Sequence, residues 1–203
     1  MRIIAGEFKG RPLVPPVDRT TRPMLGRVRE ALFSTLGSLV DEARVLDLFS
    51  GTGSLGLEAL SRGAKQVVFV ERDRRALTAL FKNVEELGVK QRALVAPGNA
   101  LDASRWGDGE IDVAFLDPPY PWFRDRDKRN SLFDALRQIF TDKLALGGAL
   151  VLHTHPRDVE ETDFELAGAT PDKRVYGNTA LWYVWKSAGD SDDSGESEES
   201  QCS

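Results

Sequence analysis

The sequence is nearly without cysteine. Its one thiol, Cys202, is the penultimate residue of the 203-residue chain. No disulfide can form within the chain, and a reducing, cytoplasmic setting is expected. Also missing is any apolar run of membrane-spanning length, and the first residues, MRIIAGEFKG, lack the apolar stretch of a secretory signal. Histidine is scarce: His153 and His155 bracket Thr154, with no acid or cysteine beside them to complete a ligand set. No metal is expected there. No internal repeat divides the chain, and its length suits one full core.

Charge is unevenly spread. The formal net charge is −5, but residues 188–203 (AGDSDDSGESEESQCS) hold six acids and no base. Without them 27 basic residues face 26 acidic ones. This acidic, low-complexity tail is expected to be disordered. The first 30 residues lean the other way: Arg2, Lys9, Arg11, Arg19, Arg22, Arg27 and Arg29 against Glu7, Asp18 and Glu30. Such a patch suits a polyanion such as RNA.

Residues 2–14 alternate loosely around Gly6 and Gly10, which predicts a short hairpin, and the prolines of 15–23 predict an extended segment. Val28, Ala31, Leu32, Thr35, Leu36 and Leu39 recur at helical spacing over 26–39. Strand–helix alternation begins after residue 44. Strands are predicted at Val45–Phe49, Gln66–Val70, Arg92–Ala96, Ile111–Leu116 and, after Gly147-Gly148, Ala149–His153. A helix capped by Asp73 carries Leu77, Leu80, Phe81, Val84 and Leu87 and ends at Gly88. Another runs through Leu132, Phe133, Leu136, Ile139 and Phe140. Phe164–Ala169 and Thr179–Trp185 read as an antiparallel pair around Tyr176-Gly177-Asn178. Repeated βα units imply a doubly wound α/β fold with a mostly parallel sheet and a terminal antiparallel hairpin. The expected divisions are an N-terminal extension (1–25), the main domain (26–187) and the tail (188–203).

Two motifs carry chemistry. Gly51, Gly53 and Gly56 form G-x-G-x-x-G between a strand and a helix, and Glu71 follows 20 residues after Gly51. A nicotinamide dinucleotide fits that spacing. Asp47 opposes it, because a carboxylate beside the turn repels a diphosphate. It favours a ligand with an ammonium and a sulfonium, which points to S-adenosylmethionine. Asp117-Pro118-Pro119-Tyr120 then follows a strand directly. Two prolines end the strand stiffly. The turn offers a carboxylate, a prolyl carbonyl and an aromatic face, which suit a planar base with an exocyclic amine.

The order Asp47, Gly51-Thr52-Gly53, Glu71, Asn99 and Asp117–Tyr120 resembles the class I S-adenosylmethionine-dependent methyltransferases of exocyclic amines. Residues 2–13 (RIIAGEFKGRPL), 22–33 (RPMLGRVREALF) and 56–63 (GLEALSRG) are similar to the RsmD family of 16S rRNA guanine-N2 methyltransferases. The resemblance covers residues 1–186. It implies a seven-stranded sheet and a cofactor site made of Arg22, Asp47, Phe49, Ser50, Gly51, Thr52, Gly53, Glu71, Arg72, Asn99, Ala100 and Asp117. Asn99 stands where many relatives have aspartate, and Met24-Leu25-Gly26 replaces the Thr and Asp often found before Arg27. The implied catalytic residues are Asp117, Pro118, Pro119 and Tyr120. RNA contacts are expected at Lys9, Arg11, Arg22, Arg27, Tyr120, Trp122 and Arg124. The implied partner is 16S rRNA or an assembling small ribosomal subunit, bound by a monomer. An adenine N6-methyltransferase and an idle RNA-binding protein on the same fold are the alternatives.

Overall fold

The runs Val45–Leu48, Val67–Val70 and Val113–Leu116 are buried at every position. Apolar side chains facing both ways demand cover on both faces, which is the condition of a parallel sheet between helices. The computed structural model describes residues 1–15, 24–164 and 171–187. Its strands are β1 (Arg44–Leu48), β2 (Gln66–Glu71), β3 (Ala93–Pro97), β4 (Ile111–Leu116), β5 (Leu144–Thr154), β6 (Pro171–Tyr176) and β7 (Thr179–Trp185). Its α-helices are α1 (Gly26–Leu36), α2 (Ser54–Ser61), α3 (Arg74–Leu87) and α4 (Arg126–Gln138). The sheet order is β3-β2-β1-β4-β5-β7-β6. Strands β1 to β5 are parallel, and β7 runs antiparallel between β5 and β6. This is the expected doubly wound sheet with its terminal antiparallel hairpin. Strand order reverses between β1 and β4, and the crevice of such a sheet opens there, at the carboxyl ends of the strands.

Two cores flank the sheet. On one face α1, α2 and α3 cover Val45, Phe69, Phe115 and Val151. On the other α4, Trp106 and Trp182 cover Leu46, Leu116 and Leu152. Helix α3 shows why its sequence folds. Asp73 accepts from the N–H groups of Arg75 and Ala76, Gly88 ends the helix in the left-handed conformation, and Leu77, Leu80, Val84 and Leu87 are buried. Each such side chain contributes roughly 1.5–3 kcal/mol. Phe81, expected on the same face, is 49% exposed instead; it lies one position off the buried stripe.

Several boundaries differ from expectation. The helix over 26–39 ends in a 3-10 turn, Gly37–Val40. Phe49 falls outside β1, at φ 59°. The glycines at 147 and 148 lie inside β5, because the β4–β5 register shifts between Ile111 and Val113. A Cβ on Gly148 would meet the Asp112 carbonyl oxygen at 2.8 Å, so the pair forms a bulge where two backbones approach closely. Expected strand Phe164–Ala169 is not the partner of β7. Phe164 packs on Phe133 and Trp182, residues 165–170 lie outside the described residues, and Pro171–Tyr176 pairs instead. The two-residue turn Gly177-Asn178 decides this, since it joins only the strands that touch it.

The N-terminal segment makes one antiparallel bridge, Arg2 with Pro12. Its ordering comes from α2. Glu58, fully buried, accepts from the backbone N–H groups of Ile4 (2.8 Å) and Ala5 (3.0 Å) and from Arg62 Nε (2.9 Å). Buried Arg29 lies 3.7 Å from the same carboxylate and donates to the Arg2 carbonyl. Ser61 accepts from Phe8 N–H and donates to the Ala5 carbonyl. Ile3 and Leu13 thereby join the α1–α3 core. Removing one partner of a buried charged group strands the other. Glu58→Ala is expected to lower the unfolding free energy by about 3–5 kcal/mol, read from the urea midpoint. A loss below about 1 kcal/mol, the range of a solvated pair, would contradict this clamp.

Candidate active site

The ends of β1, β2 and β4 bring three carboxylates to one crevice. Parallel register sets Leu48 beside Val70 and Leu116, so Asp47, Glu71 and Asp117 fall near the same level. Asp47 is 1% exposed. Its Oδ2 accepts from Gly56 N–H at 2.9 Å, which ties it to the first turn of α2. Its Oδ1 has no hydrogen-bond partner, and neither has the buried Ser50 Oγ. Burial pushes the Asp47 carboxyl up to about 8, the Gly56 hydrogen bond opposes this, and the charges of Asp117 and Glu71 add to it. A buried acceptor without a donor costs free energy, and a cationic group is the partner that three neighbouring carboxylates favour.

The turn after β1 is built to expose backbone. Phe49 and Gly51 both adopt positive φ, 59° and 56°. Such a conformation is strained for phenylalanine. Gly51 N–H donates to Glu71 Oε2 at 2.8 Å, while Glu71 Oε1 accepts from the N–H groups of Arg72 and Asp73. Glu71 is thus fixed in orientation by three donors. Thr52 and Gly53 are buried, and Asn83 of α3 donates to the Thr52 carbonyl. Gly56 has a different reason: a Cβ there would lie 2.3 Å from the Phe69 ring. It lets α2 pack on β2, as the third glycine of the dinucleotide pattern does.

On the far side of the crevice, Gly98 N–H bonds to the Glu71 carbonyl and leads into Asn99. Asn99 is exposed, its Oδ1 accepting from Leu101 N–H, while Ala100 is buried and its carbonyl accepts from Trp106 Nε1. After β4, Asp117 N–H donates to the Leu48 carbonyl, so the tetrapeptide starts against the end of β1. The Pro119 carbonyl accepts from Trp122 N–H, which leaves Pro118 as the prolyl carbonyl beside Asp117 that this turn does not engage. Tyr120 is 37% exposed.

The segment after Tyr120, which holds the expected RNA contacts Trp122 and Arg124, folds into two successive elements. Tyr120–Arg124 form a 3-10 turn, and α4 starts at Arg126 under the Asp125 cap. Trp122 is buried, with its ring edge-on to Phe49 at 5.1 Å and the Arg72 guanidinium over it at 5.6 Å. It joins the turns that follow β1, β2 and β4. Arg124 stays exposed.

Not all predicted contacts gather here. Arg11 donates to the Glu86 carbonyl at the last turn of α3. Asp73 at the first turn marks the crevice end, and 14 helical residues span about 20 Å. Lys9, two residues from Arg11, lies in the same exposed turn. The structure therefore sets both at the opposite end of the sheet from Asp117. Arg27 is exposed in the first turn of α1, and Arg22 lies outside the described residues. A separate depression of about 690 Å³ opens between α3 and β3, lined by Phe81, Lys82, Glu85 and Lys90 among others; it shares no residue with the crevice. Among the described residues, no helix is long and apolar enough to cross a membrane.

Sequence reasoning overlooked His153, whose Nδ1 lies 2.6 Å from Asp117 Oδ1. The available signal was register: the residue after a strand's last apolar position meets its counterpart on the next parallel strand.

Comparison with known proteins supplies the family. The family model described as conserved hypothetical protein 95 matches residues 1–185. "Putative rRNA methyltransferase YlbH" of Bacillus subtilis is 34% identical over 186 residues, covering 89% of this chain and 96% of that protein. Ribosomal RNA small subunit methyltransferase D of Escherichia coli K12 is 39% identical over 120 residues, 59% of this chain and 60% of its own length. Among solved structures, "Putative methyltransferase yhhF from Escherichia coli" superposes with a TM-score of 0.76 at 30% identity, covering 93% of this chain and 98% of its own. The cofactor is S-adenosylmethionine, and the unpartnered Asp47 Oδ1 suits its ammonium. The chain therefore belongs to the RsmD family of class I S-adenosylmethionine-dependent methyltransferases.

Proposed function

We propose that this methyltransferase modifies the exocyclic 2-amino group of a guanine in small-subunit ribosomal RNA. The carrying observation is the juxtaposition of Asp117 with the end of β1, where the unpartnered Asp47 Oδ1 waits for a cation. The substrate class draws support from relatives named as rRNA methyltransferases.

Asp47, with the backbone of Phe49–Gly53, would hold the ammonium end of the cofactor. Glu71 would accept from the ribose hydroxyls, and Arg72, Asn99 and Ala100 would flank the adenine. Arg22 would approach the methionine carboxylate. Bound there, S-adenosylmethionine supplies a methyl group on a sulfonium, an electrophile.

The chain's own residues deal with the nucleophile. A guanine 2-amine is weak because its lone pair is delocalised into the ring. Asp117 and the Pro118 carbonyl accept its two hydrogens, which draws the nitrogen towards a tetrahedral shape and aims the lone pair out of the ring plane. Positioning and fixed electrostatics supply most of such an effect. Pro119 keeps the turn stiff. Tyr120 stacks on the extruded base, a contact typically worth about 1–3 kcal/mol, after the nucleotide has left its helix. RNA phosphates meet Arg124, just after the Asp117–Tyr120 turn, and Arg27 in the first turn of α1. Trp122 acts beneath this surface by packing the turns together, and Lys9 and Arg11 engage RNA that extends around the far end of α3.

Three outcomes follow. Asp117→Ala is expected to abolish methyl transfer in a labelled-cofactor assay while cofactor affinity stays within several-fold; near-normal turnover would sink the assignment. Mass-spectrometric mapping of the product then distinguishes guanine N2 from adenine N6. Cofactor affinity should also depend on pH through Asp47. Its folded pKa, about 8, lies above its unfolded value. Stability from the bound proton is thus present below the unfolded pKa and lost as pH rises through about 8. A cation that needs the carboxylate must displace this proton, so affinity should tighten by up to about tenfold per pH unit below 8. The gain stops near there, where the ligand's α-amino group (pKa about 7.7–8.0) also deprotonates. Calorimetry from acid to neutral pH checks this, and Asp47→Asn should bind weakly without the slope. Finally, Arg124→Ala should lower the slope of log affinity for RNA against log salt by about 1. An unchanged slope would remove Arg124 from the RNA surface.

A further inference from the structure

His153 is the buried polar side chain of this site that neither cofactor nor base binding employs. It is 4% exposed. Pairing of Leu116 with Leu152 makes Asp117 and His153 the next residues on adjacent parallel strands, and their side chains emerge together. Nδ1 lies 2.6 Å from Asp117 Oδ1, and Nε2 lies 3.2 Å from the Tyr120 hydroxyl. The Tyr120 ring stands edge-on to the imidazole at 5.7 Å. Two of the four residues of the catalytic turn therefore converge on one imidazole.

Chemistry fixes the proton positions. An ionised carboxylate only accepts, so Nδ1 carries hydrogen and donates to Asp117. In the neutral ring Nε2 then has a lone pair and accepts from the Tyr120 hydroxyl. The arrangement is directional: Tyr120 O–H to Nε2, then Nδ1–H to Oδ1. It occupies one Asp117 oxygen and leaves the other for the target.

We propose that His153 is a positioning residue for methyl transfer: its Nδ1–H locks the Asp117 carboxylate in the orientation that presents the second oxygen to the target amine, while Tyr120 holds the ring in the required tautomer. This rests on the reading of Asp117 above. A second consequence concerns charge. Protonation of Nε2 places an imidazolium against the carboxylate, weakens that carboxylate as an acceptor for the amine, and turns the Tyr120 hydroxyl from donor to acceptor. The groups around the ring are few. Asp117 faces it from the end of β4 and Tyr120 from the following turn. Leu181 lies opposite on β7. His155, two residues along, accepts from Arg157 N–H through its own Nδ1. Burial disfavours the charged ring, but the Asp117 charge and hydrogen bond outweigh it and hold the His153 pKa above its ordinary 6.5. Transfer should therefore decline on an acid limb centred above that value.

The test is single-turnover transfer by the full chain with saturating cofactor and RNA, from about pH 5.5 to about 8.5, a range that spans imidazole titration. His153→Phe fills the space without an N–H. It should lose about ten- to hundredfold in the single-turnover rate, the scale of a misplaced catalytic group, with RNA affinity in a separate titration little changed. His153→Asn restores an N–H donor towards Asp117 but cannot titrate. It should recover most of that loss and show no acid limb. Because the chain has two histidines, imidazole nitrogen NMR is readily assigned without RNA or turnover. It should show the Nδ1–H tautomer for His153 and a fall in its pKa in Asp117→Asn. An unchanged rate and acid limb in His153→Phe, while Asp117→Ala is inactive, would overturn the role of His153 and leave Asp117 standing. So would an Nε2–H tautomer indifferent to Asp117→Asn. Full activity in Asp117→Ala would instead remove both readings.

Discussion

Three carboxylates at the ends of adjacent strands are the condition on which the site depends. Burial raises the cost of ionising Asp47, and the charges of Asp117 and Glu71 add to it. Like charges gathered in a crevice persist only where something compensates them. The protein compensates each one differently. Glu71 has three backbone donors. Asp117 has an imidazole. Asp47 has one backbone donor and an orphaned oxygen. The compensation missing at Asp47 defines what the crevice accepts: a cation, and not the diphosphate that the glycine spacing alone would allow.

The register of the parallel sheet imposes this gathering. Glu71 and Asp117 sit just past the last apolar position of their strands and Asp47 just before that of β1, and β2, β1 and β4 are neighbours in that order. The positive φ values at Phe49 and Gly51 follow from the same need, because the chain must leave β1 sharply while the Gly51 N–H reaches Glu71. Close approach of α2 through Gly56 completes the turn. That helix then carries Glu58, whose buried carboxylate orders residues 1–13 against the core. The strand that holds the cofactor turn and the segment that precedes α1 are thus linked through one short helix.

Most of the fold was legible in the sequence because its signals are local. Apolar runs, the Asp73 and Gly88 caps and the glycine turn each specify their own element within a few residues. What was not legible depended on neighbours distant in sequence. Pro171–Tyr176 became the partner of β7 because only a segment touching Gly177-Asn178 can close that hairpin. Gly147 and Gly148, read as a boundary, lie within a bulged strand because Asp112 of β4 approaches them. At the site, the aspartates and glycines declared themselves by spacing. His153 did not, since its partner is 36 residues away, and a histidine near another histidine invites a metal reading. The place of Arg11 was likewise hidden: its charge suggested a polyanion, and only the fold sets its guanidinium at the last turn of α3, away from the crevice.

Asp47 and Asp117 are one residue type in two environments within one crevice, and the proposed function gives them two tasks. Asp47 is almost fully buried, and desolvation dominates its titration. It is a group whose charge is called up by a ligand. Asp117, with a side chain 35% exposed and a histidine donor on one oxygen, is oriented before any ligand arrives. A preorganised acceptor suits a weakly nucleophilic amine, for which the gain comes from geometry fixed in advance. Environment, rather than residue identity, would separate the carboxylate proposed to recognise a cation from the one proposed to align an amine.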